Sequence, residues 1–329
     1  MSANKSRPRI MSAMQPTHAM LHLGNLEGAL RALVNLQDQY EVYCGIVDLH
    51  ALTTMYEDPS KISTNVRQIA LDYLAAGLDP EKSIIFVQSH VLEHSELHLL
   101  FSMITPLGWL ERVPTYKEKR QMYKTEREPY GLLGYPVLQA ADIFLYKPYG
   151  VPVGKDQAPH LEIAREIGRR FNHLYGQVFP EFESLISETP TLLGTDGRKM
   201  SKSYHNAIYI MDDEEMTAQK IMTAYTDPLK IHKNDPGHPE GCSVFSLHSA
   251  YNKANVAFVE KECRGGERGC VQCKKECIAA VNESLRPIRE RRKSLDLGDV
   301  DRILQQGAEK ARTFASKTLA EVKTAMKLY

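Results

Sequence analysis

Val42-Tyr43-Cys44-Gly45-Ile46-Val47 is a short apolar run, and Ile84-Ile85-Phe86-Val87 is another. Between them the apolar residues Ile62, Val66, Ile69, Ala70, Tyr73 and Leu74 recur with a helical period, which stops at Gly77 just ahead of Asp79-Pro80. A strand-length run, a helix and a second strand in that order make a βαβ unit, and such units imply a parallel sheet. The pattern extends towards the N-terminus. Ile10-Met11-Ser12-Ala13-Met14 reads as a strand that runs into a loop at Gln15-Pro16-Thr17. Beyond His22-Leu23-Gly24-Asn25, Leu26, Ala29, Leu30 and Leu33 again mark a helix. Periodicity alone therefore predicts a doubly wound α/β domain over the first two-thirds of the chain.

The last third is different. From about Asp212 to Tyr329 strand patterning gives way to long helical stretches, such as that starting at Arg302, while Asp227 to Cys242, with prolines at 228, 236 and 239, reads as a loop or linker. The chain of 329 residues suggests two domains, and its composition, 43% hydrophobic and 25% charged, argues against disorder and against a small disulfide scaffold. With 41 basic and 41 acidic side chains, bulk charge offers no handle on nucleic acid. A local basic face remains open: residues 261–293 carry ten basic side chains against five acidic ones. No apolar stretch approaches the ~18–20 residues of a membrane span. The polar lead-in Met1 to Arg9 lacks the apolar core of a signal peptide, so a cytoplasmic location is expected.

Two segments carry chemistry. In an open parallel sheet, ligands lie beyond the carboxyl ends of the strands, where helix N-termini aim backbone N–H groups at anions. Pro16 to Asn25 occupies the first such junction. Gly24 lets a nucleotide approach the backbone, and His22 and Asn25 supply donors for phosphate or ribose oxygens. The second segment, Gly197-Arg198-Lys199-Met200-Ser201-Lys202-Ser203, sets two lysines three apart among small polar residues. That arrangement suits a mobile clamp on the charge of a leaving pyrophosphate. Taken singly, the first is a loop with a histidine and the second a solvated turn.

Together, His-Leu-Gly-Asn near the first strand and Lys-Met-Ser-Lys-Ser after the last resemble the paired signatures of class I aminoacyl-tRNA synthetases. Gly134-Tyr135-Pro136-Val137-Leu138-Gln139-Ala140-Ala141-Asp142-Ile143 and Val151-Pro152-Val153-Gly154-Lys155-Asp156-Gln157-Ala158-Pro159-His160 resemble tryptophanyl-tRNA synthetases, and the resemblance spans Ile10 to Leu328. It implies a Rossmann-type catalytic domain at 9–203, a helical anticodon-side domain at 204–329 and a homodimer. ATP-dependent activation of L-tryptophan, with Mg²⁺ accompanying ATP, would be followed by transfer to tRNA(Trp). Asp142 would accept the indole N–H, Tyr135 and Gln157 would hold the ammonium group, Gln15 and His50 would complete the pocket, and Val151 and Val153 would wall it. The ATP side would comprise Gln15, Thr17, His22, Gly24, Asn25, Gly154, Asp156, Lys199, Met200, Ser201 and Lys202, with His22, Asn25, Lys199 and Lys202 carrying the catalysis. Lys117 and Lys119 are equally phosphate contacts or surface charges. Tyrosyl-tRNA synthetase, which shares both signatures, and an RNA-binding regulatory relative with weak activation are the alternatives. The chain departs from the family pattern at Ala13, where glycine is usual, in the longer loop His18-Ala19-Met20, and at Lys155, a charge reversal beside two proposed ligands.

Five of the six cysteines fall at 242, 263, 270, 273 and 277. In a cytoplasmic chain such a group reads as metal binding, and spacing does not choose between zinc and an iron–sulfur cluster. By resemblance to a subset of tryptophanyl-tRNA synthetases, Cys242, Cys263, Cys270 and Cys273 would hold a 4Fe-4S cluster, with Zn²⁺ as the alternative. Cys277 is expected to be a buried thiol and Cys44 a core residue. The basic stretch around the cysteines suggests an RNA platform. His90, His94 and His98, spaced by four, are expected on a polar surface or a subunit interface.

Overall fold

Along the first strand, Arg9–Met14, Ile10 and Met11 are fully buried and turn to opposite faces, each into its own hydrophobic core. The same alternation recurs in Glu41–Ile46, where Val42, Cys44 and Ile46 face one core and Tyr43 the other, and in Ser83–Val87, where Ile85 and Val87 oppose Phe86. A strand buried on both faces belongs in the middle of three layers. In this computed structural model, which describes residues 7–114, 116–117, 128–154, 158–186 and 191–329, the strands are β1 (Arg9–Met14), β2 (Glu41–Ile46), β3 (Ser83–Val87), β4 (Gly150–Val153) and β5 (Glu183–Ile186). They form one parallel sheet in the order β3-β2-β1-β4-β5. That is the expected α/β, Rossmann-type sheet. Strand order reverses between β1 and β4, so their carboxyl ends open a crevice.

The helices that matter for the site are α1 (Asp48–Met55), α2 (Ile62–Ala76), α3 (Glu93–Ser102), α4 (Tyr130–Phe144) and α5 (Ala158–Tyr175). Helix α2 ends where the sequence predicts: Gly77 takes φ +110°, and its N–H closes onto the carbonyls of Tyr73 and Leu74. The helix after Gly24 is less regular than its periodicity suggests. It runs as Leu23–Asn25, a π-helical turn Leu26–Leu30, then Arg31–Leu36.

The region after the lysine motif is helical, with α6 (Glu214–Thr223), α7 (Ser243–Tyr251), α8 (Val256–Arg264), α9 (Cys270–Lys293) and α10 (Leu297–Ala325). Asp227 to Cys242 is the expected loop. Helix α10 returns to the sheet beside β3: a Cβ on Gly307 would sit 1.8 Å from the Ile85 carbonyl oxygen, so only glycine allows this approach. Among the described residues no helix is long and apolar enough to cross a membrane.

Candidate active site

A cavity of about 390 Å³ opens at the β1/β4 crevice. Gln15, Asn25, His50, Tyr135, Asp142, Val151, Val153 and Gly154 all line it, together with Ala13 at the end of β1. Asp156 and Gln157, and with them Lys155, lie outside the described residues, as does Lys119. Lys117 is exposed on the surface.

Asp142 is the electrostatic centre of this cavity. It is 2% exposed, on α4, yet each carboxylate oxygen is met by donors. His50 Nε2 lies 2.9 Å from Oδ2, while Gln88 Nε2 at 2.7 Å and His94 Nδ1 at 2.6 Å converge on Oδ1. Burial alone would raise the acid's pKa, but the hydrogen bonds from His50 and His94, and their charges, hold it well below the usual carboxylate range. The result is an anion kept in a nearly dry site, with one oxygen doubly engaged and the other only singly. Sequence reading sends His94 to a polar surface or an interface. Instead it is completely buried, its Nδ1 on Asp142 and its Nε2 2.8 Å from the Tyr146 hydroxyl. His90 ends a separate 3-10 turn, Gln88–His90, and is exposed, whereas His94 and His98 lie on α3, the first buried and the second half-buried.

The other ring nitrogen of His50, Nδ1, is buried without a hydrogen-bond partner. Tyr135 is tied at its hydroxyl to His160 Nε2, 2.8 Å away. His160, Gln139 and Ile143 also line the cavity, and their residue types carry no signal by which sequence alone singles them out.

The phosphate side forms beside the cavity and shares Asn25 with it. His22 and Asn25 cap each other: Asn25 N–H donates to His22 Nδ1 and His22 N–H to Asn25 Oδ1, both at 3.2 Å. With Nδ1 accepting, the neutral ring carries its proton on Nε2. Burial first, then the nearby charges of Lys202 and Lys199, bring the His22 pKa down to about 4. His22 is thus a neutral donor at physiological pH. Gly24 leaves no room for more: a Cβ there would lie 3.0 Å from His22 Nδ1 and Cε1 and 3.8 Å from the Met200 Cβ. Gly24→Ala is therefore expected to tilt the His22 ring and raise KM for ATP about tenfold, the effect of one lost hydrogen bond, with KM for the amino acid unchanged; steady-state kinetics in both substrates checks it.

The lysine loop folds over this corner. Met200 is buried, Lys199 exposed, and Ser201 and Lys202 half-buried. Thr17 is half-buried in the loop that leads from β1 to His22. Asn206, 2% exposed, holds the lysine loop from behind, accepting from Ser201 N–H at 2.8 Å and donating to the Lys199 carbonyl at 3.1 Å. An asparagine three residues past a motif gives sequence reading no reason to choose it.

Cys242, Cys263, Cys270 and Cys273 line one small cavity between α7, α8 and α9, alongside Lys230, His238 and Arg268. Burial pushes the Cys273 thiol up to about 12, and the other three cysteines add to the shift, so the four sulfurs lie within electrostatic reach of one another. Among the described residues, however, no group of three or more His, Cys, Asp and Glu side chains is arranged to hold a metal ion, which supports neither the expected 4Fe-4S cluster nor the zinc alternative. Cys277 and Cys44 are buried as expected.

The basic stretch does not present one continuous cationic face. Arg264 pairs with Glu240 and Glu260, Arg268 with Glu262 and Glu276, Arg286 with Glu214, and Arg291 and Arg292 bind α2. What stays open is a concavity of about 600 Å³ next to the cysteines, lined by Lys230, Lys233, Lys275, His232 and Gln272.

These features find their counterpart among known proteins. The family model for tRNA synthetases class I (W and Y) matches residues 3–286. The chain belongs to that family. The tryptophan–tRNA ligase of Thermotoga maritima is 48% identical, over 97% of this chain and 99% of its own length. That of Aquifex aeolicus is 42% identical over 97% of this chain and 100% of its own. Among solved structures, tryptophanyl-tRNA synthetase from Campylobacter jejuni complexed with ADP and tryptophan superposes with a TM-score of 0.84 at 34% identity, covering 97% of this chain and 100% of that one. In this chain the cavity at the β1/β4 crevice and the His22–Lys202 corner lie side by side, with Asn25 common to both.

Proposed function

We propose that this class I synthetase is a tryptophan–tRNA ligase, and that the observation carrying this reading is Asp142: an ionised carboxylate on the wall of an amino-acid-sized cavity, with acceptor capacity left on Oδ2. An indole N–H fits that acceptor, and a ring without a donor there leaves a buried anion underpaired. In the reaction the tryptophan carboxylate attacks the α-phosphorus of ATP in line. The bond to the β-phosphate oxygen breaks, and pyrophosphate leaves with the electron pair. The terminal ribose hydroxyl of tRNA(Trp) then attacks the activated carbonyl and AMP leaves. This chain's part is positioning and charge. Gln15, His50, Tyr135 and Gln157 orient the amino acid between Val151 and Val153. Thr17, His22, Gly24, Asn25, Gly154, Asp156, Met200 and Ser201 seat ATP, which arrives with Mg²⁺, and Lys199 and Lys202 meet the departing pyrophosphate. Transfer of labelled tryptophan, and not tyrosine, to tRNA with an intact 3′ end tests the assignment; charging with tyrosine, or with neither, contradicts it.

Residues 204–329 serve as the anticodon-side domain in this reading, with the concavity that exposes Lys233 and Lys275 as its tRNA contact. Four thiols around one cavity are the donor set of a 4Fe-4S cluster, whose four corners hold sulfurs farther apart than a single ion does. Cys242, Cys263, Cys270 and Cys273 would hold it, and it would staple α7, α8 and α9. Protein purified without oxygen is expected to contain four iron and four acid-labile sulfide per chain, as a 4Fe-4S stoichiometry requires. Absence of both from well-folded protein contradicts the cluster.

A homodimer is supported by an apolar stripe on α3 and beyond it: Leu92, Leu99, Met103 and Leu107 are each more than half exposed. Leu99→Glu combined with Met103→Glu is expected to convert a dimer to a monomer in sedimentation velocity. The same helix bears His94 on its buried side, so the interface would back the tryptophan pocket.

A further inference from the structure

Asp72 is a carboxylate with no accessible surface, on the core side of α2 among Ile69, Ala70, Tyr73 and Ala75. A hydrophobic residue would pack there at least as well, since a buried charge costs desolvation that only good partners offset. Its partners are therefore informative, and they come from three distant parts of the chain. Oδ2 accepts from the backbone N–H of Leu21 at 3.0 Å, the residue just before His22. Oδ1 accepts from Arg292 Nε at 2.7 Å, and Arg292 also reaches Gln68 at 2.5 Å. The third is Lys202 of the lysine loop: burial raises the Asp72 pKa, and the Leu21 N–H, Arg292 and the Lys202 charge each oppose that rise, while Asp72 in turn favours the charged form of Lys202.

The Leu21 peptide is held from its other side as well. Ile210 N–H donates to the Leu21 carbonyl and Leu23 N–H to the Ile208 carbonyl, both at 2.9 Å. The backbone entering His22 is thus pinned between Asp72 and the segment that follows the lysine loop. Arg292 arrives at the end of α9, 24 residues and about 36 Å long. Its first turn carries Cys270 and Cys273, and its last turn also places Arg291 Nη1 on the Ala75 carbonyl at 2.6 Å.

We propose that Asp72, seated by Arg292, is a positioning residue of the ATP site: it fixes the backbone that presents His22 and supplies the counter-charge beside which Lys202 works. The docked end of α9 is then a component of adenylate formation, although none of the residues assigned to ATP or tryptophan lies on α9. This rests on the assignment of His22 and Lys202 to ATP, and wild-type exchange activity is the control that separates the two claims.

The groups facing Lys202 make the test specific. Asp72 raises its pKa, whereas burial, the largest cause, brings it down to about 8; His22 and His18 are the titratable neighbours that feel its charge. Asp72→Asn keeps an acceptor for Leu21 N–H and removes the charge. In tryptophan-dependent ATP–pyrophosphate exchange it is expected to lower kcat/KM for ATP by roughly 10- to 100-fold, with KM for tryptophan within twofold. It should also move the alkaline limb of the kcat/KM profile down by about one pH unit, because Lys202 loses the anion that favours its charged form. A residue acting only as a fold staple would move neither the limb nor ATP selectively.

Arg292→Ala, far from the substrates, is expected to lower kcat/KM for ATP about tenfold, and the double variant to be no worse than Asp72→Asn alone. Folded variants with wild-type ATP kinetics and an unmoved limb, or effects that simply add, overturn the proposal. Should Asp72→Asn not fold, Arg292→Ala decides by itself: unchanged ATP kinetics then overturns it. Absence of exchange in the wild type would instead count against the site assignment.

Discussion

Asp142→Asn is expected to lower kcat/KM for tryptophan in adenylate formation by about 10³-fold, roughly 4 kcal/mol of transition-state stabilisation. The size follows from the hydrogen-bond geometry. Oδ1 accepts from Gln88 and His94, and Oδ2 from His50. An asparagine replaces one of these oxygens by an NH₂ group. Turned one way it faces Gln88 and His94, and turned the other it faces His50 and the indole N–H, so either orientation opposes donor to donor inside a dry site. The substrate analogue in which sulfur replaces the indole nitrogen sharpens the test. Wild type should favour tryptophan over 3-benzothienylalanine by roughly 10³-fold or more, and the variant should reduce that preference to about tenfold or less. Equal losses for both substrates would show that Asp142 contributes packing alone. Because hydrogen bonds hold the carboxylate well below its usual range, KM for tryptophan should also be flat down to mildly acidic pH.

Lys202→Ala is expected to cost about 10²–10³-fold in kcat for adenylate formation, the worth of one preorganised contact to charge that develops on a leaving group. KM for tryptophan should hold, since the lysine loop lies outside the amino-acid cavity. The pH dependence gives a second reading of the same residue. With Lys202 brought down to about 8 by burial, the free protein carries its charge below that pH and loses it above. Wild-type kcat/KM for ATP should therefore fall as pH rises through about 8, and the variant should lack that limb. A retained limb would assign it to another group. His22 does not contribute there, because it is already neutral above about 4.

The parallel sheet was readable because its strands are buried on both faces and its helices end on recognisable signals. Ile10 to Met14, Val42 to Val47 and Ile84 to Val87 all became adjacent strands, and Gly77 took the left-handed conformation that a helix end favours. The π-helical turn at Leu26–Leu30 was not readable, since its apolar spacing matches an ordinary helix equally well. In the candidate site, residues whose motif is local, such as His22, Gly24, Asn25, Met200 and Lys202, could be proposed from the sequence, and the structure brings them to one corner. Residues that act on another side chain could not. His94 supports Asp142 across 48 positions, Asn206 grips the lysine loop through backbone atoms, and Asp72 joins segments 51 and 220 residues away. Such contacts depend on how helices cross the sheet, and periodicity does not encode that. Charge counting was misleading for a related reason. The arginines of residues 261–293 look like an open basic face in sequence, but each is tied to a carboxylate or a carbonyl, and Arg268, Arg289 and Arg292 are buried or half-buried.

The most direct test of the central claim is amino-acid-dependent ATP–pyrophosphate exchange on protein purified without oxygen, with tryptophan and tyrosine in separate reactions. Exchange with tryptophan and none above background with tyrosine is the predicted result. Exchange with tyrosine would contradict the role given to Asp142. Exchange with neither would contradict activation altogether, pointing to Ala13 on the cavity wall and to the lengthened loop before His22 as the changes that disabled it.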